Sequence, residues 1–176
     1  MKALKIIGVI LLGLIVLVVM VALAQPAQGH IERSIVIHAP ISKVYAEINS
    51  FRDFRTWSPW SKMDPEATYK FEGPESGVGA KMSWEGKKVG KGSQWITESI
   101  ENQRVKNGLQ FEGYDAKAFA EFVLEPQGDN ATKVTWTYDG PNDGLMGKAF
   151  WVVMKGMLGG QYEEGLNSLK ERLETT

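Results

Sequence analysis

The chain has 176 residues, no cysteine, and a formal net charge of −1 from 20 basic and 21 acidic residues. These figures exclude disulfide bonds, thiolate catalysis and cysteine metal sites, and with both signs interspersed and no basic stripe they argue against a nucleic-acid partner. The length accommodates one domain plus an appendage.

The appendage comes first. Lys2 and Lys5 precede an uncharged, strongly apolar run over residues 6–24. As a helix that run extends roughly 28 Å at about 1.5 Å per residue, close to the ~30 Å thickness of bilayer hydrocarbon. Residues 1–24 therefore read as a single-pass membrane anchor, and the two lysines set the N-terminus in the cytoplasm and the rest outside, in the periplasm if the envelope has one. The small-x-small triplet Ala22-Leu23-Ala24 offers the alternative of a cleaved signal peptide and a secreted domain. Either way the domain is exported.

Residues 25–29, with Pro26 and Gly29, read as a linker, and residues 30–176 as one ligand-binding domain. Ile31, Arg33, Ile35 and Ile37 alternate with Glu32, Ser34, Val36 and His38, which predicts a first strand that pairs at a sheet edge. Ala39-Pro40 ends it. Ser42 then reads as the N-cap of a helix carrying Val44, Tyr45, Ile48 and Phe51 on one face, and a second short helical turn begins at Asp53 and stops at Ser58-Pro59. Six β-type segments follow, at Thr68–Glu72 and at 80–86, 92–100, 104–112, 117–125 and 132–139. The short Gly-, Asn- and Pro-bearing connections between them, including 73–79 and 113–116, are those of an antiparallel meander. A long C-terminal helix over 143–174 closes the chain, with Met146, Phe150, Met154, Leu158, Tyr162, Leu166, Leu169 and Leu173 as its apolar stripe.

This order resembles the helix-grip fold of the START-like (SRPBCC) superfamily, and within it the polyketide cyclase/dehydrase-like branch. The stretches that carry the resemblance are ERSIVI at 32–37 with Ala39-Pro40, FRTWSPW at 54–60, GPESGVG at 73–79, SWEG at 83–86, ITES at 96–99 and KVTW at 133–136. The fold class so implied is α+β: a curved antiparallel seven-stranded sheet around a long C-terminal helix, with two short helices after the first strand and one transmembrane helix in front. The resemblance also implies a deep apolar cavity between sheet and helix, used across the superfamily for lipids, sterols, polyketides and other hydrophobic molecules. In the resembled fold the 73–79 loop lies near the mouth, where a flexible loop gates entry.

The residues themselves favour binding over chemistry. The only two histidines, His30 and His38, lack metal-ligand spacing, and no GxSxG elbow or phosphate-loop ending exists, so neither a metal nor a cofactor is expected. The weak catalytic candidates are Glu98, if it shares an inward face with Gln94 and Ile96, and Tyr138. Aromatic and methionine content is the strongest signal. Strand alternation and the flanking helices bring Trp57, Trp60, Met82, Trp84, Leu109, Phe111, Phe122, Trp136, Tyr138, Phe150 and Met154 to one concave surface, a mix suited to an adjustable pocket. A packed core is the competing reading of the same residues. Residues 145–158 are apolar nearly all round, and Gly156, Gly159 and Gly160 weaken the helix by up to about 1 kcal/mol each, so a bend there would make the first half a lid with Trp151 and Val152 exposed to a bilayer; burial of that face against the first helix or in a dimer is the alternative. The expected partner is a hydrophobic small molecule or lipid, carried or sensed at the cell envelope. A cyclase-type enzyme and a protein-interaction module with a filled core are the alternatives, and oligomeric state stays open.

Overall fold

A computed structural model describes residues 2–113 and 117–175. It begins with α1 (Lys2–Leu23), followed by β1 (Gln28–Ile37), the short helices α2 (Ile41–Ile48), α3 (Phe51–Trp57) and α4 (Pro59–Met63), six strands, and α5 (Gly144–Glu174). The strands are β2 (Thr68–Glu72), β3 (Lys81–Gly86), β4 (Gly90–Ile100), β5 (Arg104–Phe111), β6 (Ala118–Pro126) and β7 (Thr132–Pro141). They form one antiparallel sheet in the order β1-β7-β6-β5-β4-β3-β2. The meander runs from β2 to β7, and β1 joins it at the β7 edge. The three short helices carry the chain from one edge of the sheet to the other.

Local chemistry explains several departures from expectation. The residues read as linker are partly strand, since β1 begins at Gln28 opposite Pro141. Helix α2 starts two residues early, with Pro40 at its N-cap and no side-chain cap, so Ser42 does not serve there. Ser50 instead caps α3, its Oγ accepting from the Asp53 N–H at 3.4 Å. Ser58-Pro59 does not end the helical region. Proline lacks the N–H that a first turn leaves unpaired, so Pro59 opens a third short helix. The turn expected over 113–116 falls, from residue 114 on, outside the described residues.

Sheet curvature has a visible source in β4. The β4–β5 register slips between Ile96 and Glu98, and such a bulge bends the strand and adds twist. The 73–79 loop is held in place: the Gly77 N–H donates to Asn49 O and the Gly79 N–H to Ile96 O, both at 3.0 Å. Its glycines 73, 77 and 79 all have positive φ, a conformation that side chains rarely adopt. Two backbone hydrogen bonds thus tie the loop expected to be flexible to the C-terminal end of α2 and to β4.

The core lies under the second half of α5. Trp57, Trp136, Tyr162, Phe122, Ile96, Leu166 and Leu169 are all fully buried there, with Val44 and Ile48 from α2 closing the side. Helix α5 is continuous from end to end, so the glycines at 156, 159 and 160 produce no break. Gly159 gives room where the Arg33 guanidinium crosses beneath the helix toward Glu163, 2.5 Å away.

Candidate ligand cavity between sheet and helix

Antiparallel register decides which side chains share the concave face. In register across β3, β4, β5 and β6 stand Met82, Gln94, Leu109 and Ala118, and one pair further along stand Trp84, Gly92 and Phe111. Gly92 is what lets the Trp84 indole lie flat over β4, because a side chain there would collide with that ring. Trp84 is further fixed by its Nε1–H, which donates to Val89 O at 3.3 Å, and by an edge-on contact with Phe111 at 5.8 Å. On the opposite wall, Trp60 donates through Nε1–H to Gln161 Oε1 at 3.0 Å and so ties α4 to α5, and Trp151 of α5 stacks on Tyr138 of β7 at 5.9 Å.

These walls enclose a cavity of about 420 Å³. Of the residues expected from sequence, Trp60, Met82, Trp84, Leu109, Phe111, Tyr138, Phe150 and Met154 line it. Trp57, Phe122 and Trp136 do not. They form the aromatic core beside it, where Phe122 stacks on Trp136 at 4.6 Å, Trp136 stacks on Tyr162 at 3.9 Å, and Trp57 meets Phe122 and Trp136 edge-on. The indole N–H groups of Trp57 and Trp136 have no hydrogen-bond partner among the described residues. For these two the competing reading, a packed core, is the one that applies.

The cavity wall also contains residues that sequence reasoning missed: Phe54, Ser58, Tyr69, Val89, Gln94, Ala118, Asn142, Trp151, Leu158, Gln161 and Tyr162 among them. Gln94 had a legible signal, its parity with Ile96. Trp151 had one in helical phase, because 151, 154, 158 and 162 follow steps of three and four. Trp151, exposed on the lid reading and buried on its alternative, is only 8% exposed, lying across Gly29, whose missing side chain makes the space.

The weak catalytic candidates separate. Beyond the β4 bulge, Glu98 turns outward and pairs with Arg104 at 2.5 Å, while Ser99 turns inward to donate to Asn49 Oδ1 at 2.7 Å. Tyr138 lines the cavity, and burial first, then the neighbouring Asp139 charge, pushes its hydroxyl pKa up. Burial pushes the Tyr162 hydroxyl further up, with smaller contributions from Tyr138 and Asp139. Both phenols stay protonated at neutral pH and offer hydrogen bonds without charge. Among the described residues, no aspartate, glutamate, lysine, arginine or histidine lines the cavity. His30 and His38 sit outside it, paired with Asp139 at 2.8 Å and Glu174 at 3.0 Å, and no described group of three His, Cys, Asp or Glu side chains is placed to hold a metal ion.

A family model described as polyketide cyclase / dehydrase and lipid transport matches residues 28–174. The chain belongs to that family. Solved structures agree on the fold. Protein CV1439 from Chromobacterium violaceum superposes with a TM-score of 0.62 at 16% identity, covering 83% of this chain and 98% of its own. A START superfamily protein from Mycobacterium smegmatis gives 0.57 at 14% identity, covering 84% and 98%. The Aha1 dimer from Colwellia psychrerythraea gives 0.57 at 20% identity, covering 82% and 96%. At such identities these likenesses speak to fold alone. No curated protein sequence matches the chain. Family and fold together place its function in the class of hydrophobic-ligand binding or polyketide cyclase-like activity.

Proposed function

We propose that this family member binds one uncharged, largely apolar molecule in the cavity between α5 and β3–β7, as a carrier or sensor held at the membrane by α1. The observation that carries the reading is the wall itself: about 420 Å³, within the range of small-molecule sites, lined mostly by aromatic, aliphatic and methionine side chains and, among the described residues, by no acid or base other than tyrosine. An ionised ligand group would meet no counter-charge there and would lose its hydration, a cost of several kcal/mol. A ligand hydroxyl or carbonyl, by contrast, finds the Gln94 carboxamide, the Tyr138 phenol and the Ser58 hydroxyl. Apolar burial supplies the driving force, at roughly 25 cal/mol per Å² before the costs of association.

Helix α1 supports the location. Its segment Lys5–Leu23 is long and apolar enough to cross a membrane or to act as a signal sequence, and its side chains from Ile6 to Leu23 are largely exposed in the folded chain. Lys2 and Lys5 favour the orientation with the domain outside the cytoplasm.

The test is native mass spectrometry of the full chain, purified from its host membrane and released from detergent micelles, followed by organic extraction. The reading expects a neutral apolar species retained near one per chain. A chain that carries nothing and takes up no neutral apolar compound on titration contradicts it.

A further inference from the structure

Helix α5 has an apolar face that the domain does not cover. Met146, Phe150, Val153 and Met157 recur at steps of four, three and four, which places them on one side of the helix, and they are 84%, 59%, 70% and 54% exposed. Behind this strip lies the cavity, because Gly147, Phe150, Trp151 and Met154 of the same turns form its wall. Between Gly144 and Tyr162 the only charged residues are Lys148 and Lys155, both cations on long apolar stems.

The strip lies where α1 leaves the domain. Helix α1 packs against α5, and Ala22 near its end is buried. Asn142, two residues before α5, holds the connecting segment on both sides: its backbone N–H donates to Ala27 O at 2.8 Å and its Nδ2 to Pro26 O at 2.9 Å. The start of α5 is thus fastened to the point at which a spanning helix meets the membrane surface.

We infer that the first half of α5 docks on the lipid bilayer through Met146, Phe150, Val153 and Met157, so that one helix is both a membrane-facing element and a wall of the cavity. The strip is on the helix against which the apolar α1 packs, its character is that of helices which bury an apolar side in the membrane interface, and the two lysines suit anionic headgroups. Phe150, which is both exposed and part of the wall, marks the path by which an apolar ligand passes between leaflet and cavity without crossing water. The inference rests on α1 remaining as an anchor and on the cavity reading for the ligand path alone.

A chain without cysteine permits single-site labelling. In the full chain reconstituted into vesicles of phosphatidylethanolamine and phosphatidylglycerol, a nitrobenzoxadiazole label would be placed at V153C or M157C, with E164C on the exposed second half of α5 as the aqueous reference. The expected result is blue-shifted emission at 153 and 157, quenching by doxyl-labelled lipid, and at least five-fold weaker quenching by iodide than at 164. Iodide quenching equal to that at 164 overturns the inference. Shielding from both quenchers, with energy transfer between differently labelled chains, also overturns it and assigns the strip to a second copy. The readout does not depend on what the cavity holds, so an empty cavity with a lipid-quenched label at 153 would remove the ligand reading and leave the docking surface standing.

Discussion

Gly165 shows how far a single atom decides packing in this molecule. A Cβ at that position would stand 2.8 Å from the Trp136 ring and 3.1 Å from Pro59 Cδ, both fixed in the core. Helix propensity favours alanine over glycine by about 1 kcal/mol, but overpacking a filled core costs about 1–3 kcal/mol. Gly165→Ala should therefore destabilise the fold in urea denaturation by up to about 2 kcal/mol. Gly160→Ala meets nothing within 4 Å and should stabilise it by up to about 1 kcal/mol. Glu98→Gln, which removes one half-exposed ion pair with Arg104, should shift stability by less than about 1 kcal/mol and leave ligand retention unchanged. At this scale the sequence named eight of the cavity's large side chains, because strand parity orders Met82, Trp84, Leu109, Phe111 and Tyr138 and the flanking helices supply Trp60, Phe150 and Met154. It left the inward or outward turn of Glu98 open, since the bulge that resets parity after Ile96 is a backbone event with no residue signature of its own.

The long helix was legible as an element and misread in phase. Steps of four advance about 400° around a helix, so each repeat drifts some 40°. Extended back from Leu158 to Met146 the expected stripe swings about 120° off the buried face, which instead runs through Trp151, Leu158 and Tyr162. Met146 accordingly faces outward, and Phe150, 59% exposed, reaches the cavity wall only at its edge. The far end of the same helix is fastened electrostatically. Glu174 accepts from the backbone N–H of His38 at 2.7 Å and from Lys170 Nζ at 2.7 Å, and the first of these contributes most to holding its carboxyl down, from 4.5 to about 2. A carboxyl lowered in the folded state contributes stability that is fully present above its unfolded value and is lost as pH falls through its folded value. The fastening of α5 to the end of β1 should weaken between about pH 4.5 and pH 2 and be constant above that window. Stability curves for wild type and Glu174→Gln should converge toward pH 2, with the variant less stable at pH 6 to 7 and lacking this component of the acid slope; parallel curves would contradict the assignment.

Taken whole, the molecule divides one aromatic set between two tasks. Trp57, Phe122 and Trp136 pack into a core under the second half of α5, which fixes the helix on the sheet, with Tyr162 stacked on Trp136 at the boundary between core and cavity. Trp60, Trp84, Phe111, Tyr138 and Trp151 surround unfilled space under the first half. Composition and alternation cannot see this division, because both groups are the same residue types on the same face; it depends on where α5 crosses the sheet. What the sequence carries is the helix-grip order of elements, with a third short helix hidden at Ser58-Pro59. Filling the cavity without touching the stacked core separates the two tasks. Leu109→Trp should keep the thermal midpoint within a few degrees of wild type while abolishing ligand retention.

The most direct measurement of the central claim is native mass spectrometry of the full chain offered two probes of equal chain length, a long-chain primary alcohol and the corresponding fatty acid at pH 8, with Leu109→Trp as the filled-cavity control. The account predicts one alcohol bound per wild-type chain, at least ten-fold preference for it over the carboxylate, and neither retained by the variant. Equal binding of both probes, or retention unchanged in Leu109→Trp, would contradict an uncharged apolar ligand held between α5 and the sheet.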